Sequence, residues 1–153
     1  MRSAARARSY RLQVAEPKSP YLHRPPLVTD ASVIAAALFG EEGGAEAIAL
    51  LRGRALHAPH LLDHEIASVA LKKLRREGLA WTAVEKTLHA YGRLAIERHE
   101  VDAEAIVAVA RRYELTAYDA AYLVVASRLA APLATLDEAL AAAARAHLAA
   151  EQE

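Results

Sequence analysis

Along this chain, short apolar runs that stop at an acid alternate with longer stretches of helical period. Leu27-Val28-Thr29 runs into Asp30, and Pro132-Leu133-Ala134-Thr135-Leu136 runs into Asp137. Short apolar runs bounded by a polar break read as strands buried on both faces. Ala55-Leu56-His57-Ala58-Pro59 reads as another strand, ended by its proline. Residues 95–101 are more charged and read as a short β segment. Helices fill the intervals. A short one covers 32–38 and is broken by Gly40, Gly43 and Gly44; the next covers 45–51 and closes at Gly53. Residues 61–76 are strongly amphipathic, with Leu62, Ile66, Val69 and Ala70 on one face and Lys72, Arg75 and Arg76 toward solvent. Further helices are predicted over 81–94 with Thr82 as cap, over 103–113 with Asp102 as cap, over 117–129 with Thr116 as cap, and over 138–149. Such alternation predicts an α/β domain with a parallel sheet covered on both faces.

Residues 1–26 break the pattern. They hold no sustained period, and Pro17, Pro20, Pro25 and Pro26 fall among them. A flexible extension is expected there, followed by one folded domain over 27–150. The extension carries Arg2, Arg6, Arg8, Arg11, Lys18 and Arg24 against Glu16, a charge of +5. With 13 basic and 18 acidic residues, the remainder carries −5, which cancels it. An acidic body lacks the broad basic face of many nucleic-acid binders but suits an enzyme that holds cations with carboxylates. Cysteine is absent, which excludes disulfides, thiol catalysis and thiolate metal sites. No apolar run nears the ~20 residues of a membrane helix, and no secretory core follows the basic start. A cytoplasmic protein is expected.

Four acids stand out. Asp30 and Asp137 each follow a strand, where open α/β sheets place ligands. Asp119 opens a helix, and Glu65 lies near the apolar face of 61–76, stacked between Leu61 and Val69. Each has a plainer use: Asp30 and Asp137 as N-caps, Asp119 in a capping box with Thr116, Glu65 paired at the edge of its helix. Taken together, four acids expected at one edge of one sheet suit a hard cation such as Mg²⁺ or Mn²⁺.

These residues resemble the PIN-domain ribonucleases, and within them the VapC toxins of toxin–antitoxin pairs. The resemblance rests on Val28-Thr29-Asp30-Ala31-Ser32, on Ala58-Pro59 leading to Glu65-Ile66-Ala67, on Thr116-Ala117-Tyr118-Asp119-Ala120, and on Pro132 through Asp137. It implies a three-layer α/β/α fold with a parallel sheet of four or five strands. It places metal-binding acids at Asp30, Glu65, Asp119 and Asp137, with Asp30 and Asp119 closest to the ion. Ser32, Thr116 and Thr135 match supporting polar positions. The implied reaction is endonucleolytic hydrolysis of RNA, commonly tRNA or rRNA, by a metal-activated water. Implied partners are a VapB-like antitoxin, laid over apolar surface between the helices 45–51 and 61–74, and a second copy of the chain. Lys72, Lys73, Arg75, Arg76 and Arg128 are candidate phosphate contacts.

Two features depart from the family's pattern. Ser68 stands where many relatives have asparagine, and a helix-forming segment occupies 141–153 where many have a last strand. His57, His60 and His64 also suggest zinc, since His60 and His64 are four apart. Pro59 and Leu61, however, put His60 before the helix, and Ser68 replaces the second histidine of an H-E-x-x-H pattern. Two other functions fit the chain: a PIN nuclease that processes RNA without being a toxin, and a silent interaction module whose acids only cap helices.

Overall fold

The computed structural model describes residues 24–150. The extension expected over 1–26 therefore lies outside the described residues, its last three excepted. Four parallel strands make the sheet: β1 (Pro26–Thr29), β2 (Ala55–Pro59), β3 (Ile96–His99) and β4 (Leu133–Ala134). Their spatial order is β3-β2-β1-β4. Helices α1 (Ala31–Phe39) and α2 (Gly44–Leu51) join β1 to β2, and α3 (Leu62–Arg76) and α4 (Trp81–Gly92) join β2 to β3. Helices α5 (Ala103–Tyr113) and α6 (Ala117–Arg128) lead to β4, and α7 (Glu138–Ala150) follows it. Long helical crossovers are what parallel pairing requires. The layered α/β/α fold is thus present with four strands among the described residues.

β1 is the centre of the sheet. It pairs with β2 through Leu27 opposite Leu56, and with β4 through Thr29 opposite Ala134. Leu27, Val28 and Thr29 are all buried, which is why the run is apolar without alternation. From β1 the chain steps outward to β2 and β3, then crosses to the far side of β1 to form β4. Strand order reverses at β1, and open α/β sheets form their ligand crevice at the carboxyl ends beside such a reversal. Asp30 is the residue that follows β1.

The helices cover the sheet in a way their sequences explain. α6 is buried at every position from 120 to 126 because it packs on β1, β2 and β4 and also meets α5 and α7. α3 buries Leu62, Ile66 and Ala70 as its period predicts. Each fully buried Leu or Ile contributes about 1.5–3 kcal/mol. At Gly44 the close approach of α2 to α1 leaves no room: a Cβ would stand 2.5 Å from the Ala36 carbonyl oxygen.

Three local expectations are corrected. Thr82 lies inside α4, whose N-cap is Ala80; the Ala80 carbonyl already accepts from Ala83 and Val84. Asp102 occupies the N-cap position of α5 but gives no cap bond, because its carboxylate pairs with Arg128. The last strand is two residues long, not five. Beyond Ala134 the backbone donors turn to side chains: Leu136 N–H to Ser32 Oγ at 3.0 Å and Asp137 N–H to Thr135 Oγ1 at 2.9 Å. Among the described residues, no helix is long and apolar enough to cross a membrane.

Candidate active site

Asp30 is buried, with 6% of its surface exposed, at the end of the central strand. It caps α1 as the sequence suggests, Oδ1 accepting from Val33 N–H at 3.2 Å. The same oxygen accepts from the Ser32 hydroxyl at 2.6 Å, and Oδ2 accepts from the Thr135 hydroxyl at 2.5 Å. Burial raises the carboxyl above the usual aspartate range, and the donors from Ser32, Thr135 and Val33 oppose that rise. A carboxylate offers about four lone-pair positions. Oδ1 holds the Ser32 hydroxyl and the Val33 N–H, and Oδ2 holds the Thr135 hydroxyl.

Glu65, in the first turn of α3, points back toward the same crevice. Burial raises its carboxyl, and the negative charges of Asp30 and Asp119 raise it further. Opposing them is the hydroxyl of Tyr122, which donates to Glu65 Oε2 in a short hydrogen bond. Tyr122 is 1% exposed, and its phenol is held far above its ordinary range by burial first and then by the bond to Glu65. The sequence reading missed this residue. Its signal is a polar tip three positions after Asp119, in a stretch, 120–126, otherwise made of Ala, Leu and Val. Asp119 stands at the start of α6. Its N–H donates to Thr116 Oγ1 at 3.1 Å, and the Thr116 hydroxyl donates back to Asp119 Oδ2 at 2.7 Å.

Asp137 is placed differently. Its Oδ1 caps α7 by accepting from Leu140 N–H at 2.8 Å. Its link to Asp30 runs through Thr135, which donates to Asp30 and accepts from the Asp137 N–H. Its side chain is exposed, and its charge is not among those that act on Glu65. The structure thus sets Glu65 where the charges of both Asp30 and Asp119 act on it and leaves Asp137 at the rim. Among the described residues, no basic side chain forms an ion pair with any of the four. Nor do three of the carboxylates bring oxygens within 4.8 Å of one another. That spacing fits an ion such as Mg²⁺, which takes one or two carboxylates directly and keeps several waters. It does not fit a dry site with four protein ligands.

The cationic candidates divide. Lys73 is 9% exposed and not free for phosphate. Its Nζ lies 2.5 Å from Glu41 and 2.9 Å from Glu77, and 5.7 Å from the centre of the Phe39 ring. Arg128 is engaged as well, by the Asp102 carboxylate and the Glu100 carbonyl oxygen. Lys72, Arg75 and Arg76 stay at the surface, and Lys72 reaches the groove that Glu65, Ser32 and Tyr118 also line. Ser68 turns its hydroxyl back to the His64 carbonyl oxygen at 2.9 Å. The groove beside Glu65 runs between α1 and α3. α1 therefore stands between α2 and α3, the pair of helices expected to flank the antitoxin surface.

Fold and site together define an α/β domain whose strand-order reversal opens onto a crevice of uncompensated carboxylates. The family model for the PIN domain matches residues 27–146. The VapC ribonuclease Mb0985 of Mycobacterium bovis is 37% identical over 113 residues, covering 72% of this chain and 85% of that protein. Ribonuclease VapC9 of Mycobacterium tuberculosis matches to the same extent. Ribonuclease VapC3 of Pyrobaculum aerophilum is 32% identical over 120 residues, covering 75% of this chain and 92% of its own. The crystal structure of PAE2754 from Pyrobaculum aerophilum shares the fold. It superimposes with a TM-score of 0.63 at 23% identity and covers 83% of this chain and 89% of that one. The chain belongs to the PIN-domain family, in its VapC branch.

Proposed function

We propose that this chain is a divalent-metal-dependent endoribonuclease, the toxin of a toxin–antitoxin pair, with Asp30, Glu65, Asp119 and Asp137 as its metal-binding acids. The observation that carries this reading is Glu65 lying within the charges of Asp30 and Asp119 while, among the described residues, no cationic side chain pairs with any of the three. Carboxylates held together in that way raise one another's pKa unless a cation is supplied. Sequence kinship to proteins named as VapC ribonucleases supplies the substrate class.

Asp30, through Oδ2, and Asp119, through Oδ1, are the nearest ligands; Oδ2 of Asp30 carries the single hydrogen bond from Thr135, and the Thr116 hydroxyl takes the other oxygen of Asp119. Glu65 offers Oε1 while Tyr122 holds Oε2. Asp137 completes the set through water from the rim. Mg²⁺ or Mn²⁺ bound there would acidify a water and neutralise charge on a phosphate. Ser32 and Thr135 keep the Asp30 carboxylate in one orientation, so reorganisation during the reaction is small. Lys72, Arg75 and Arg76 track the RNA backbone toward the crevice. The substrate is a single-stranded or looped RNA of the tRNA or rRNA kind, met in the cytoplasm. A VapB-like antitoxin silences the site by laying apolar side chains along the α1–α3 groove and an arginine against the acids. The alanine-rich helices supply a homodimer contact.

Cleavage of a fluorogenic single-stranded RNA tests the chemistry. Activity that requires Mg²⁺ or Mn²⁺ and disappears in Asp30→Asn is the expected result. Intact RNA under every metal condition would leave a silent module. Induced expression in a bacterium tests the toxin role, and growth unaffected by the wild-type chain would refute it.

A further inference from the structure

A second cluster of ligating side chains lies on the other side of β1's neighbour, at the edge of the sheet. Among the described residues, His57, Glu97 and His99 converge with their ligand atoms within 4.8 Å of one another. The register explains how. His57 on β2 is the direct partner of Glu97 on β3, and His99 is two residues further along β3, so all three share one face. His57 Nδ1 is 3.0 Å from His99 Nε2 and 3.6 Å from Glu97 Oε2, while His99 Nε2 is 3.9 Å from Glu97 Oε1. Donors around a tetrahedral zinc ion at its usual bond lengths lie ~3.3 Å apart. The observed separations bracket that value. The ring–ring contact also requires one imidazole nitrogen to present its lone pair to the other, so one histidine is already in the form that binds metal. The side chains of His57 and His99 are mostly covered, 13% and 23% exposed, while that of Glu97 is 69% exposed, leaving one side open to solvent.

We propose that His57, Glu97 and His99 form a site for a borderline transition-metal ion of the Zn²⁺ class, separate from the acidic crevice. Two imidazoles and one carboxylate favour Zn²⁺, Ni²⁺ or Cu²⁺ over Mg²⁺, whereas the all-carboxylate crevice has the opposite preference. The ion takes the place of the hydrogen between the two rings, which shifts to the other nitrogen of its own imidazole, and leaves a coordination position for water. It ties β3, which pairs only with β2 among the described residues, to its neighbour across the span that carries α3 and α4. The pairing differs from the His60 and His64 spacing that the sequence suggests. His60 precedes α3, and neither histidine joins the cluster.

Titration of the untagged full chain with ZnCl₂, in excess Mg²⁺, tests the site by calorimetry and thermal melting. One equivalent is expected to bind, with the melting temperature rising by roughly 5–10 °C once free zinc exceeds the dissociation constant a hundredfold. His57→Gln and His99→Gln should abolish binding. Glu97→Gln, a change at an exposed side chain that leaves folding intact, should weaken it at least tenfold. Asp30→Asn should bind zinc as the wild type does. Absence of saturable binding by the wild type overturns the proposal. So does binding that survives His99→Gln, or binding lost in Asp30→Asn.

Discussion

Replacing Tyr122 by phenylalanine removes one hydroxyl and leaves the packing of a fully buried ring unchanged. The hydroxyl is the donor that opposes the rise of the Glu65 carboxyl, against burial and the charges of Asp30 and Asp119. Hydrogen bonds to charged groups contribute about 1.5–3 kcal/mol. Glu65 is only half-buried, and phenylalanine carries no hydroxyl to desolvate, so a net loss of roughly 1–1.5 kcal/mol is expected. For a chain of this size that lowers the melting temperature by about 2–6 °C in metal-free buffer at neutral pH. Without its donor the carboxylate is a poorer anion. The apparent affinity for Mg²⁺ should fall about 5- to 10-fold, since ~1.4 kcal/mol is a factor of ten. The acid limb of the activity profile should move to higher pH. Thermal melts with and without Mg²⁺, and RNA cleavage against Mg²⁺ concentration, measure these effects. A melting temperature and metal dependence equal to wild type would refute the argument. A lower melting temperature with unchanged metal dependence would reduce Tyr122 to a packing residue.

Other outcomes follow from the same geometry. Glu65→Gln removes an acid whose folded-state pKa is raised; that acid lowers stability as pH climbs through and above its range, so the metal-free variant should melt higher than wild type at neutral pH and equal it in acid. Mg²⁺ should raise the wild-type melting temperature more than the variant's. Thr135→Val removes a hydroxyl that serves both Asp30 and the Asp137 N–H; about 2 kcal/mol of stability and at least tenfold in cleavage rate should go, measured by denaturant melts and initial rates. Asp137→Asn keeps a good N-cap, so unchanged stability with reduced kcat would separate its place at the metal from its capping. Asp63 is held below the usual range first by the Arg98 hydrogen bond, and that stability is lost as pH falls through its folded pKa. Asp63→Asn should therefore cost about 0.5–1 kcal/mol near neutral pH, given the exposed pair, and little in acid, as chemical denaturation at two pH values would show.

Period and punctuation made most of the fold legible. β2 and α5 occupy the predicted residues, and β1 begins only one residue earlier than expected. What failed were features settled by distant partners. Thr82 and Asp102 are good caps by composition, but Asp102 was claimed by Arg128, 26 positions away. Lys73 is a candidate phosphate contact by sequence, on the basic end of an amphipathic helix; Glu41, on the segment after α1, draws it under cover instead. At the site, acids that follow strands announce themselves, since a strand end is a local feature. Tyr122 and the His57–His99 pair do not, because their meaning depends on which strand lies beside which.

Thr135 lies 105 positions after the aspartate it holds. A ribosome builds the chain from its amino end, so Asp30, Glu65 and Asp119 emerge before the hydroxyl that fixes Asp30. A nascent chain stopped short of β4 lacks both Thr135 and the strand that completes one edge of β1. The order of synthesis thus delivers the hydroxyl on Asp30 Oδ2 last: until β4 is made, Asp30 has only Ser32 and Val33, its neighbours in sequence, to hold it.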